Sequence, residues 1–178
     1  GDNMQIIIND IIYAFYYIFP AYVANAMPVI FGGGRRIDTG KLFWDGKPVF
    51  GSNKTIRGFF AGLLVGTSTG FVLSNLYHLE GFPSFLFQYD FWLGFLLSLG
   101  ALTGDLFHSF IKRRLDIAPG SPLPIADQLD FALGAILFSI VVYPPPWYIA
   151  VIIIVVTPPI HLLTNFLAYL IGTKRNPW

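Results

Sequence analysis

Apolar residues fall in five long blocks along this chain: Gln5 to Phe31, Gly58 to Leu79, Phe91 to Ile111, Ile125 to Tyr143 and Trp147 to Gly172. A helix that crosses a bilayer needs about 20 mostly apolar residues, and each block meets or approaches that length. The fourth is short and opens with charges. The fifth is interrupted by Thr157-Pro158-Pro159, which predicts a kink. The pattern predicts an all-α integral membrane protein with five transmembrane helices and a single membrane domain over residues 1–178. There is no internal repeat, low-complexity tract or second domain. Gly1-Asp2-Asn3, ahead of Met4, reads as an extension before the natural start. The first block has no basic n-region and no small-residue cleavage site, so it reads as a retained span.

Polar residues then set the orientation. Arg35, Arg36, Lys41, Lys47, Lys54 and Arg57 crowd the first loop, Lys112, Arg113 and Arg114 open the third, and Lys174 and Arg175 lie in the tail. The second loop and the Pro144-Pro145-Pro146 turn contain no Lys or Arg. All 11 basic residues therefore fall on one side. The positive-inside rule makes that side cytoplasmic, with the amino terminus outside and two long cytoplasmic loops. Composition agrees: 54% of residues are hydrophobic and 12% charged, against about 25% charged in soluble domains. A net charge of +1 gives no reason to expect a nucleic-acid partner. The lack of cysteine excludes disulfides, iron–sulfur clusters and thiolate zinc sites.

Positive-inside bias alone accounts for basic loops, but the residues between the charges add information. "GSNKTIRG", Gly51 to Gly58, has phosphate-loop residue types without the spacing of a Walker A motif. No predicted strand precedes it, and the helix that follows enters the membrane. A glycine turn at a helix N-terminus still binds anions. Lys54 adds a point charge, Arg57 a fork suited to phosphate oxygens, and Asn53 and Thr55 neutral donors. A plain helix cap followed by positive-inside charges is the alternative.

"GDLFHSFIKRRLDIAPGSPLPIADQLDF", Gly104 to Phe131, is richer. Asp105, Ser109, Lys112 and Asp116 share one face if the helix runs on. Asp105 sits roughly 9 Å inside the end of its span at 1.5 Å per residue, a depth at which an ionisable group marks a functional hypothesis. Asp127 and Asp130 share a face at the start of the fourth block, after a proline-rich fold-back. Three carboxylates beside lysines and arginines suggest a magnesium–phosphate site; an intramembrane salt-bridge set, such as Asp105 with Lys112, is the alternative. Asn25, His161 and Asn165 are polar groups within spans, and such groups commonly bond neighbouring helices. His78 belongs to the outer loop. No hydrolase elbow, zincin helix or clustered histidine ligand set occurs.

The run Ser109-Phe110-Ile111-Lys112-Arg113-Arg114-Leu115-Asp116, followed after a proline/glycine loop by Asp127-Gln128-Leu129-Asp130, resembles the carboxy-terminal signature of membrane CTP:phosphatidate cytidylyltransferases. The glycine-histidine-glycine element of the bacterial enzymes is replaced by "SPLPIA", and the chain is shorter. Both departures resemble the small archaeal CDP-archaeol synthases. "PAYVANAMPV", "GGG", "IDTG" and "GSNKTIRG" are similar to that family as well, in order along nearly the whole chain. The resemblance implies transfer of CMP from CTP to an unsaturated archaetidic acid in the cell membrane, with pyrophosphate released. It implies Mg²⁺ held by Asp127 and Asp130 with Asp105 near, and triphosphate contacts from Asn53, Lys54, Thr55, Arg57, Ser109, Lys112, Arg113 and Asp116. Expected partners are CTP, a lipid phosphate and membrane lipids. A CDP-alcohol phosphotransferase would need a glycine and an arginine after its second Asp, where Phe131-Ala132-Leu133-Gly134 stands here. A transporter would be expected to carry an inverted repeat.

Overall fold

A computed structural model describes residues 2–173. They form five helices: α1 (Asp2–Phe31), α2 (Ile56–Leu76), α3 (Phe91–Arg114), α4 (Ala126–Ser139) and α5 (Trp147–Leu170). Lys174 and Arg175 of the basic tail lie outside the described residues. Among these residues there is no strand, only isolated antiparallel bridges at Arg36–Thr55 and Leu42–Pro48 that brace the first loop.

Lipid gives little hydrophobic drive for helix association, so close packing at small residues must supply it. Here Gly58, Gly62, Gly66 and Gly70, spaced four apart, form the buried face of α2. A Cβ at Gly62 would stand 2.6 Å from the Ala24 carbonyl of α1, and one at Gly70 would stand 2.7 Å from Gly94 Cα of α3. The α3–α4 seam uses the same device. Gly100 opposes the Gly134 carbonyl and Gly104 the Asp130 carbonyl, too close for any side chain. These pairings run α3 and α4 antiparallel and bring the start of α4 to the level of Gly104.

Four helices, α1, α2, α3 and α5, are long and apolar enough to cross a membrane. The fourth block differs from expectation. Regular helix covers only 14 residues, about 21 Å at 1.5 Å per residue, against about 30 Å of hydrocarbon. The prolines at 119, 122 and 124 delay its start, and the chain leaves helical geometry after Ile140, before the 144–146 prolines. The segment nevertheless reaches both ends of the bundle: Asp127 meets α3 near its carboxy-terminal end, and the Tyr143 hydroxyl lies 3.1 Å from that of Tyr13.

That far end is an aromatic knot. Tyr17, fully buried, donates to Ser139 Oγ at 2.8 Å and to the Tyr143 carbonyl at 2.6 Å. Tyr16 donates to the Phe87 carbonyl at 3.1 Å, and Phe87 stacks on Tyr143 with ring centroids 4.6 Å apart. The prolines of α5 do not end it: helix continues from Trp147 to Leu170, but its buried residues stop at Thr157, just before Pro158.

Candidate functional site

The first loop is organised around Asp38. Its carboxylate, 7% exposed, accepts from the backbone N–H groups of Gly40, Phe50 and Gly51 at 3.0, 3.1 and 3.0 Å. Burial pushes the Asp38 carboxyl up, but these three amides and nearby Arg36 outweigh it and hold the group below the usual carboxylate range. Gly51 has φ +99°, and a Cβ there would meet Arg113 Nη1 at 2.8 Å. Only glycine satisfies both conditions. A hairpin clamps this loop to α3: Arg114 pairs with Asp45 at 2.7 Å and lies over the rings of Phe43 and Phe110, 5.0 and 4.3 Å from their centroids.

The loop then delivers Lys54 into the bundle. Lys54 Nζ donates to both oxygens of Asp105 at 2.7 and 2.6 Å. Two turns along α3, Lys112 Nζ donates to both oxygens of Asp127 at 2.7 and 2.9 Å and to the Ser121 carbonyl at 2.7 Å. Asp127 also accepts from Leu123 N at 2.7 Å and lies 2.7 Å from His108 Nε2. The expected alternative pairing of Asp105 with Lys112 is therefore replaced by two pairs, each joining different segments.

Two groups stand outside this pairing. Among the described residues, Asp130 forms no ion pair with a Lys, Arg or His. Arg113 is 6% exposed, its Nε has no hydrogen-bond partner, and no carboxylate among the described residues pairs with it. A buried guanidinium without an anion is costly, and this one lines a cavity of about 790 Å³.

That cavity gathers most of the residues singled out in the sequence: Asn53, Lys54, Asp105, Ser109, Lys112, Arg113, Asp127 and Asp130. Three others are placed elsewhere. Thr55 caps α2, its side chain accepting from Gly58 N at 3.2 Å. Arg57 turns back onto the end of α1, where it donates to the Phe31 carbonyl at 2.8 Å and to that of Gly32, satisfying orphan helix carbonyls. Asp116 leaves the shared face because α3 stops at Arg114. It takes φ +58° and pairs with Lys47 at 2.7 Å on the surface. In the other direction, the cavity includes four residues that sequence reasoning missed or left aside: Asn25, His108, His161 and Asn165. His108 was legible, three residues after Asp105 and four before Lys112 on the same helical face.

Ligand atoms of His108, Asp127 and Asp130 lie within 4.8 Å of one another. Two carboxylates at that separation, one without a cation, fit a hard divalent ion that keeps its remaining sites for water and phosphate oxygens.

Comparison with known proteins agrees with this chemistry. A family model described as CarS-like CDP-archaeol synthase matches residues 7–178. The CDP-archaeol synthase of Pyrococcus furiosus is 47% identical over 170 residues, covering 96% of this chain and 99% of that one. That of Methanococcus aeolicus is 44% identical over 176 residues, covering 97% and 99%. A solved structure described as an intramembrane enzyme for archaeal membrane lipid biosynthesis is similar at 37% identity and TM-score 0.75, covering 87% of this chain and 94% of that one. With the family model spanning nearly its whole length, the chain belongs to the CDP-archaeol synthase family.

Proposed function

We propose that the protein transfers CMP from CTP to an unsaturated archaetidic acid, 2,3-bis-O-geranylgeranylglycerol 1-phosphate, forming CDP-archaeol and pyrophosphate. One observation carries the placement of the nucleotide: Arg113 is buried beside the cavity with no anion of its own. A triphosphate supplies that anion.

The chemistry joins two anions, so the protein mainly positions and neutralises. An oxygen of the lipid phosphate attacks the α-phosphorus of CTP, the bond from that phosphorus to the β-bridging oxygen breaks, and pyrophosphate leaves with the electron pair. The lipid phosphate is already ionised near neutral pH, so no general base is needed. Arg113 takes phosphate oxygens, and Lys54 and Lys112, held ready by Asp105 and Asp127, spread charge over the rest. Asn53 and Ser109 add neutral donors. Asp127 and Asp130 would hold Mg²⁺, with Asp105 near; when bound, the ion supplies charge neutralisation across the triphosphate. Asp38 holds the glycine turn that presents Asn53 and Lys54.

In the membrane, the positive-inside bias of the basic loops supports a cavity on the cytoplasmic side and a tyrosine end outside, with the amino terminus. The chain crosses five times, with α4 and the turn after it making the fourth crossing. The test is direct: purified protein, labelled CTP and the lipid phosphate should yield a labelled CDP-lipid and pyrophosphate in equal amounts. Labelled CTP left intact in the presence of the lipid phosphate and Mg²⁺ would overturn the reading.

A further inference from the structure

The polar side chains of the cavity that take no part in that reaction scheme include Asn25 of α1, and His161 and Asn165 of α5. Asn165 Nδ2 and His161 Nδ1 lie 3.1 Å apart, one helical turn from each other. The wall beside them is apolar, with Met27 and Ile30 from α1, Ala168 from α5 and Ile171 just after it. Both helices stop packing at one level. The last buried residue of α1 is Ala24 and the last of α5 is Thr157, and the Tyr22 hydroxyl donates to Thr157 Oγ1 at 2.8 Å to close the seam there. Below this bond, past Pro158 and Pro159, the two helices line the cavity instead of burying residues against each other. The cavity thus has a charged floor made by α3, α4 and the first loop, and an apolar side made by α1 and α5.

The reaction requires such a division. A triphosphate is water-borne and fills the charged floor, whereas a lipid phosphate must keep two long chains in hydrocarbon while its headgroup reaches the same floor. We infer that the α1–α5 cleft is the membrane-side seat of the lipid substrate, and that Asn25, His161 and Asn165 bind its glycerol phosphate headgroup. The headgroup offers only acceptors, namely phosphate and ether oxygens, and amide N–H₂ and imidazole N–H groups are the matching donors. This assignment rests on the proposed CMP transfer.

The experiment is therefore staged. Wild-type enzyme must first form the CDP-lipid; its failure would remove the reaction, not the cleft. Next, Asn25→Leu, His161→Leu and Asn165→Leu should each raise the KM for lipid phosphate about tenfold, the scale of one lost hydrogen bond to a charged group, while the KM for CTP stays within about twofold. His161→Gln, which keeps a donor, should recover most of the loss. A second arm avoids folding defects. The chain has no cysteine, so cysteines placed at Met27 and Ala168 are the sole thiols, and a bifunctional maleimide can bridge them after purification. Bridging should abolish transfer to the lipid phosphate and leave CTP binding intact. A bridged enzyme that turns over like the unbridged one, or leucine variants that raise the KM for CTP and not for lipid phosphate, would overturn the assignment.

Discussion

The two ends of the bundle are built from opposite solutions to the same problem, polar atoms inside a membrane protein. At the tyrosine end, the hydroxyls of Tyr13, Tyr16, Tyr17 and Tyr89 each find a partner, Ser139 and three backbone carbonyls among them. At the other end, Lys54, Asp105, Lys112 and Asp127 are drawn into pairs, with His108 beside Asp127, yet among the described residues Asp130 and Arg113 are left without an ion-pair partner. A fully satisfied polar set rigidifies a fold. A set left incomplete around a cavity stores binding capacity for something that arrives later. Substitutions should therefore separate: losses at the tyrosine end should appear as stability, and losses at the charged end as chemistry.

The largest effect is expected at the carboxylates. Asp130→Asn removes a carboxyl group that forms no ion pair among the described residues, so turnover should fall at least about a hundredfold while the thermal midpoint stays near wild type. Asp127→Asn should lose comparable turnover and stability too, because it strands Lys112 in a buried site. Equal thermal midpoints for the two variants, measured by a thermal-shift assay alongside kinetics, would break the distinction drawn between them. Arg113→Gln comes next. The KM for CTP should rise about tenfold or more, since a hydrogen bond to a charged group is worth about 1.5–3 kcal/mol. The thermal midpoint should hold or rise, because an unpaired buried charge is gone.

Tyr17→Phe tests the other end. Loss of the hydroxyl that serves Ser139 and the Tyr143 carbonyl should cost about 1–2 kcal/mol of stability, with kcat/KM per folded molecule unchanged. The smallest effect is a pH dependence in the first loop. The folded-state pKa of Asp38 is depressed, so its stabilisation is fully present above the ordinary Asp value of about 3.9. It is lost only as pH falls through the lower, folded value. Hydrogen exchange of the Phe50 and Gly51 amides should quicken, relative to a neighbouring loop, in that acid range, and Asp38→Asn should show no such step.

Much of this architecture was legible in the sequence, and the exceptions have physical causes. Block length located the four helices long enough to cross a membrane, because hydrocarbon thickness leaves little freedom, but it overran α4, whose 14 residues are bounded by proline-rich turns. The helical repeat put Asp105, Ser109 and Lys112 on one face correctly, then failed at Asp116, since periodicity cannot say where a helix stops. Lys54 and Arg57 looked equivalent in a phosphate-like motif. What separates them is direction: one residue precedes the Thr55 cap and reaches α3, while the other follows it and turns back to α1. The partner choices of Lys112 and Asp105 depend on how α4 and the first loop, respectively, enter beside α3, which is a matter of tertiary register. The four-residue glycine spacing of α2 was visible but means close packing only once its neighbours are known.

That glycine ladder has a mechanical consequence. With Gly62 against the α1 backbone and Gly70 against that of α3, α2 has almost no clearance in which to roll or slide, and the Thr55 cap transmits this immobility to Lys54. α5, by contrast, presents no fully buried residue after Thr157. The molecule is thus a stator and a compliant arm. Under the proposed reaction, the side assigned to the nucleotide would be held to fixed tolerances, while the α1–α5 side would yield to bulky hydrocarbon tails without disturbing the alignment of the phosphates.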